Sequence, residues 1–277
     1  MEKITRKLVE CFKAHLENEE KAAATIEKYI GDVLAFKKWC NDRKITKQLV
    51  LEYKAFLKNS FAPASVNSML SSVNSFFIFL GEFDLRVKLL KIQKRIFSGK
   101  ELTKPEYERL LTAAKRKENS RLYYLMQTIC STGIRVSELK YITVEALEER
   151  QATINCKGKL RIVMLPDALC KMLGKYIKER NIKSGAIFVT RNGRPLDRSN
   201  ICHDMKKLCE SAHVSREKVF PHNLRHLFAR TYYSMQKDIV RLADILGHSS
   251  VNTTRIYTAE SGDVHRKQIQ RLGLLLC

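Results

Sequence analysis

Apolar residues recur at helical spacing through most of this chain, and one stretch departs from that rule. Ile4, Leu8, Cys11, Phe12 and Leu16 form a first stripe, and Ile26, Tyr29, Ile30, Val33, Leu34, Phe36 and Trp39 a second that ends near Asn41. Leu49, Val50, Tyr53, Phe56 and Leu57 form a third, and Val66, Met69, Leu70, Val73, Phe76, Phe77 and Leu80 a fourth. A repeat near the helical period buries one face of each helix. Pro63 suits the first turn of the fourth helix and Gly81 its end. The exception is residues 152–165, which read as a β-hairpin turning at Lys157, Gly158 and Lys159 and stopped by Pro166. The expected fold class is therefore mainly α with a small β-hairpin (α+β). A helical domain is expected over 1–85, a basic linker over 86–100 and a second domain over 101–277, ending in a tail helix over 263–277. A length of 277 residues accommodates two such domains.

Charge speaks to partners. Lys and Arg number 51 against 29 Asp and Glu, a net +22 that both halves share. An excess of this size implies a polyanion, and nucleic acid first among them. Lys37, Lys38, Arg43 and Lys44 lie between the apolar stripes, and Lys91, Lys94 and Arg95 lie in the linker. They read either as a solvated surface or as cations that track a DNA backbone. The eight cysteines include no Cys-x-x-Cys pair. The first residues lack an apolar signal core, and no apolar run is of membrane-spanning length, so reduced thiols in a cytoplasm are expected. Cys209 with His213, and Cys202 with His203, have loose metal-ligand spacings without a second pair, so no metal is expected.

Thr103, Pro105 and Glu106 write a capping box at the start of the second domain. An apolar helix over 122–131 runs into Gly133, a turn, and Arg135 then opens the next helix. There its guanidinium either joins free backbone N–H groups in an anion site or makes a structural salt bridge. Glu138 pairs with Arg135 or with a neighbouring helix. Lys157 and Lys159 at the hairpin tip either reach into a groove or are ordinary turn lysines. Helices follow over 167–179 and from 197 or 199 to 212. The stretch 221–257 then brings His222, Arg225, His226, His248 and Tyr257 in that order: phosphate-oxygen donors followed by a phenol able to attack phosphorus. His222 and His226 also have two-ligand metal spacing, but no Glu follows the first His.

Taken together, Ser131-Thr132-Gly133-Ile134-Arg135, the hairpin Lys157, His222-Asn223-Leu224-Arg225-His226, Leu246-Gly247-His248 and Thr253-Thr254-Arg255-Ile256-Tyr257 resemble the tyrosine recombinase (phage integrase) family, in its order and at its approximate spacings. Each piece alone is weak, while all of them in register are specific. The likeness extends over nearly the whole chain, because the first helices resemble the family's core-binding domain. Residues 1–95 leave no room for a separate arm-binding domain, which points to the compact, Xer-like or transposon-integrase form.

The resemblance implies a helical domain and a catalytic domain forming a C-shaped clamp around double-stranded DNA. It implies Tyr257 as nucleophile, Arg135 and Arg225 on the non-bridging oxygens of the scissile phosphate, and His222 and His248 hydrogen-bonded to that phosphate. Lys157 would protonate the leaving 5′-oxygen, with Lys159 nearby on the DNA, and His226 and Glu138 would support the others. It further implies site-specific recombination through a 3′-phosphotyrosine and a Holliday junction. The assembly would be a tetramer linked by exchange of C-terminal tails, associated with a bacterial nucleoid. Two rival functions use overlapping residues: DNA relaxation by a type IB topoisomerase, and a catalytically idle DNA-binding regulator. The chemistry is intelligible from the residues alone. A phosphorane carries extra negative charge, which fixed cationic donors stabilise more than the ground state. With two arginines, a lysine and two histidines, neither metal nor ATP is expected to be needed.

Overall fold

A computed structural model describes residues 3–92, 101–156, 159–190, 192–248, 250–257 and 270–271. The chain divides into two compact units, Met1–Lys94 and Arg95–Cys277.

The first unit holds α1 (Arg6–Asn18), α2 (Ala23–Cys40), α3 (Lys47–Ser60) and α4 (Pro63–Phe79). Thr5 and Thr46 start α1 and α3 by accepting the N–H of Leu8 and Leu49. Pro63 stands in the first turn of α4, and Asn41 ends α2 in the left-handed conformation. The apolar stripes meet in an aromatic core. Phe12 meets Phe76 edge-on at 5.2 Å, and Phe36 meets Phe77 edge-on at 5.9 Å. Burial of each such ring stabilises the unit by about 1.5–3 kcal/mol. A polar link joins α2 to α4 at the edge of this core, where Ser72 donates to Asp32 and Lys28 donates to Asp32, to Ser72 and to the Ser68 carbonyl.

Residues 86–92 were expected to belong to the basic linker; instead they run extended along this unit. Asn74 accepts from the N–H of Val87 and donates to its carbonyl, and Asn67 does the same for Leu90. Lys47 donates to the carbonyls of Asp84 and Arg86, and Lys54 to that of Lys88. The two asparagines complete the segment's backbone hydrogen bonds, which lets Val87 bury. Residues 93–100, with Lys94 and Arg95, lie outside the described residues; Lys91 is exposed. Arg43 is exposed, and its guanidinium is also engaged within the unit. It caps the end of α2 by donating to the carbonyls of Cys40 and Trp39 and lies 4.8 Å over the Trp39 ring. Lys38 and Lys44 are exposed and Lys37 is half-buried.

The second unit opens with α5 (Lys104–Arg116), capped by the Thr103–Glu106 box, and α6 (Ser120–Thr132). A 3-10 helix, Val136–Tyr141, stands where a further α-helix was expected after Arg135, and α7 (Val144–Glu148) comes next. Strands β1 (Gln151–Cys156) and β2 (Lys159–Met164) pair antiparallel, from Gln151 opposite Met164 to Cys156 opposite Lys159. Their inner face carries Ala152, Ile154 and Val163 into the core and also carries Arg161; Leu160, Ile162 and Met164 face outward and are exposed. Then come α8 (Asp167–Arg180), α9 (Arg198–Lys206) and α10 (Cys209–Ala212). The single helix expected up to 212 is broken because the Leu208 N–H takes the Met205 carbonyl, a tighter turn that buries both Leu208 and Cys209. The chain continues through α11 (Pro221–Gln236), α12 (Ile239–Leu246), α13 (Val251–Thr254) and a 3-10 turn, Arg255–Tyr257. Of the expected tail helix, only 270–271 is described, and it is helical. Among the described residues no helix is long and apolar enough to cross a membrane.

Asn74→Ala removes both partners of buried Val87 backbone groups and should destabilise the first unit by about 1–3 kcal/mol. The sole tryptophan, Trp39, lies in this unit, so its fluorescence in urea should show a lowered midpoint. An unchanged midpoint would mean that residues 86–92 are not fixed there.

Candidate active site

Gly133 ends α6 at φ +67, and a Cβ there would stand 2.4 Å from the Phe228 ring, so only glycine fits both the angle and the contact. Its carbonyl accepts from Arg225 Nη1 at 2.5 Å. Two residues later Arg135 occupies the N-cap position of the 3-10 helix. Glu138 answers it reciprocally, its Oε2 accepting the Arg135 backbone N–H at 2.7 Å and its Oε1 accepting Nη1 at 2.8 Å. Arg161 closes the carboxylate from the strand side, donating to Oε2 at 2.5 Å. Glu138 is 1% exposed. Burial alone would raise its carboxyl, but the Arg135 N–H and the two guanidinium charges outweigh that and hold it below the ordinary carboxylate value.

Helix α11 presents His222, Arg225 and His226 on one face, as a spacing of three and four residues requires. The His222 and His226 rings meet at 4.5 Å, and His226 meets Tyr257 at 5.0 Å, edge-on. His248 lies nearly parallel to Tyr257 at 6.2 Å. Three of the expected histidines therefore surround or adjoin one phenol, which Arg225 also reaches. Arg135, His222 and Arg225 also line an open cavity of about 600 Å³, together with Phe220, Asp197 and Arg198. Lys157 lies outside the described residues, and Lys159 is described only as part of the backbone of β2.

Arg225 is 1% exposed, an extreme placement for a guanidinium. It donates to the carbonyls of Gly133 and Leu246 and, at 3.1 Å, to His248 Nε2, yet its buried Nε–H has no hydrogen-bond partner among the described residues. Burial, with Arg135 nearby, lowers its pKa to about 10, so it stays charged at neutral pH. Because arginine only donates, His248 Nε2 must accept. The imidazole proton then sits on Nδ1 and is donated to Thr254 Oγ1 at 2.8 Å. Burial and the neighbouring arginines bring His248 to about 4, and burial with His222 and the arginines brings His226 to about 4. His222 is lowered as well, by burial and then by Arg225, Arg198 and Arg135.

Tyr257 is 3% exposed and packs with Ala229, Leu242 and Leu246. Burial raises its pKa while Arg225 and Arg135 pull it down. The resting phenol is thus neutral, beside a guanidinium with an unsatisfied N–H and three uncharged imidazoles. The arrangement can receive a phosphate and stabilise added charge on it. Among the described residues no group of three or more His, Cys, Asp or Glu is placed to hold a metal ion. Sequence reasoning missed Arg161 and Arg198. The signal for Arg161 was its parity, an arginine on the face of β2 that carries Val163 inward; Arg198 comes directly after the N-cap Asp197 of α9.

Comparison with known proteins gives the family. The model of the "Phage integrase family" matches residues 100–263, and that of the "Phage integrase, N-terminal SAM-like domain" matches 9–82. The tyrosine recombinase XerH of Campylobacter jejuni is 30% identical over 85% of this chain and 73% of its own length. The tyrosine recombinase XerA of Thermococcus kodakarensis is 29% identical over 97% of this chain and 96% of its own. A solved lambda integrase tetramer bound to a Holliday junction shares the fold at a TM-score of 0.75 and 18% identity, over 91% of this chain and 76% of that one.

Glu138→Gln should destabilise the second unit by about 2 kcal/mol or more at neutral pH, less than for a fully buried pair because the Arg135 side chain is 36% exposed. The folded carboxyl titrates below its unfolded value of 4.5, so its contribution is complete above that pH and disappears as pH falls through the lower folded value. Melting curves of wild type and Glu138→Gln should therefore converge as pH falls below the ordinary carboxylate range; a gap that is constant with pH would refute the charge pairing.

Proposed function

The chain belongs to the phage integrase family, the tyrosine recombinases, and from that premise we propose that it is a site-specific recombinase that cuts and rejoins double-stranded DNA through a 3′-phosphotyrosine on Tyr257. The observation that carries this reading is the buried Arg225 guanidinium set against Tyr257, with an Nε–H that has no acceptor among the described residues. A phosphate oxygen arriving there supplies the missing acceptor.

In this reading the Tyr257 oxygen attacks phosphorus while Arg225 and Arg135 hold the non-bridging oxygens, whose charge rises in the transition state. His222 lines the cavity and is neutral at pH 7, so it is able to take the phenol proton. Lys157 gives a proton to the leaving 5′-oxygen. The covalent phosphotyrosine conserves the bond energy, and a new 5′-hydroxyl reverses the step without ATP or metal. His248 at rest accepts from Arg225, so it donates to phosphate only after taking up a proton, which the incoming negative charge favours. Lys91 and the basic residues of both units follow the backbone electrostatically.

Recombination of this kind needs two duplexes, and we propose a tetramer exchanging strands through a Holliday junction. Its subunits are joined by the tail that carries Leu272, Leu274, Leu275 and Leu276. An apolar groove of about 280 Å³ on the second unit, lined by Tyr107, Leu227, Phe228, Tyr232 and Met235, has the character such a tail requires.

Duplexes nicked so that cleavage is irreversible, drawn from the native flanking DNA and incubated in EDTA, should give a covalent protein–DNA band with wild type and none with Tyr257→Phe. Arg225→Ala should slow its formation by about 100-fold or more, on the order of 3 kcal/mol. A band that persists in Tyr257→Phe would reject the nucleophile. Relaxation of plasmid lacking a specific site would favour the topoisomerase reading, and tight DNA binding without any adduct would favour the idle regulator. Deleting residues 264–277 should weaken assembly on paired duplexes in native gels and leave the melting of both units unchanged; a truncated protein that unfolds counts against exchange between subunits.

A further inference from the structure

Three guanidinium groups converge on the end of one short helix. Arg161 donates to the carbonyl of Ile245, Arg225 to that of Leu246 at 2.7 Å, and Arg135 to that of Gly247 at 3.3 Å. These consecutive carbonyls at the end of α12 form the negative end of the helix. Two of the three arginines hold the phosphate in the function proposed above, and Arg161 has no place in that chemistry. Its side chain is only 14% exposed, and its Nη2 donates to Glu138, the same carboxylate that orients Arg135. Arg161 thus bridges the carboxylate behind Arg135 and the turn that leads to His248. The path it takes explains the glycine of Leu246-Gly247-His248. A Cβ at Gly247 would stand 2.6 Å from Arg161 Cδ and 2.9 Å from its Nε, and φ at Gly247 is +63.

We propose that Arg161 is a positioning residue for strand cleavage, whose guanidinium ties the end of α12 to Glu138 so that Arg135, Arg225 and His248 keep their mutual places when a phosphate draws on the same donors. It touches no reacting atom. At rest the other two arginines also hold α12, but a bound phosphate engages both of them as well, and a link that the phosphate does not touch keeps the end of α12 in place. Arg161 is that link, and it roots the link in β2, which begins at Lys159. The inference rests on the recombinase reading and is tested beside it.

The experiment measures single-turnover cleavage of the irreversible duplex and DNA affinity for the full chain carrying Arg161→Ala or Arg161→Lys. Cleavage should slow by about 10- to 100-fold, the usual scale for residues that orient catalytic groups, with affinity unchanged within about twofold, since a transition-state loss shows in rate and not in binding. Added guanidinium ion should restore part of the Arg161→Ala rate by refilling the vacated position. Arg161→Lys keeps the charge, but its compact ammonium does not span both acceptors, so it should fold and still cleave slowly; it decides the matter if Arg161→Ala does not fold. Cleavage at the wild-type rate in a folded variant, or a fall in rate matched by an equal fall in affinity with no response to guanidinium, overturns the proposal. Absence of a Tyr257-dependent adduct in wild type overturns the recombinase reading itself, which the Tyr257→Phe control identifies.

Discussion

One buried carboxylate holds the second unit's charged centre together. Glu138 is the acid that Arg135 and Arg161 share, and without it two guanidinium groups would face each other near a third in a region with little water. Like charges brought this close repel strongly in a poorly screened interior. Glu138 offsets part of that repulsion, and the carbonyls at the end of α12 and of Gly133 offset more. Burial first, and then the positive potential that is left over, depress Arg225 and all three histidines. The residual charge is the functional property. A centre fully neutralised by its own acids would have no use for a phosphate.

This arrangement trades stability for readiness. An unpartnered N–H on a buried guanidinium destabilises the resting protein, and Arg225 carries one. The phenol beside it is packed among apolar side chains and held neutral. Both features are unfavourable in isolation and become favourable together once an anion is present, as expected for a site arranged for the transition state and not for the empty enzyme. The surrounding apolar helices supply the stability that the centre lacks.

The sequence made the first four helices legible because each has one buried stripe, and the hairpin legible because Gly158 offers a turn and Pro166 a stop. It also showed which residues carry chemistry, since His222, Arg225, His226, His248 and Tyr257 crowd into one short segment. What it concealed has physical reasons. The anchoring of residues 86–92 depends on Asn67 and Asn74, whose side chains meet the backbone across the unit and leave no periodic trace. Arg43 looked like a free cation because capping of α2 by backbone carbonyls is invisible in a charge count. Arg161 was hidden by its exposed apolar neighbours, Leu160 and Ile162, which reverse the usual inside-out pattern of a strand.

The contacts at the end of α12 are made to main-chain carbonyls, and this shapes how the segment tolerates genetic change. A carbonyl is the same whatever side chain stands beside it, so the half-exposed Ile245 is replaceable by other helix-forming residues without loss of its contact to Arg161. Length is another matter. Each residue added to an α-helix turns the downstream chain by about 100° and advances it by about 1.5 Å. One inserted or deleted codon between Asp238 and Gly247 would swing the three carbonyls away from their arginines at a stroke. The segment is therefore permissive toward substitution at its exposed positions and closed to insertion and deletion.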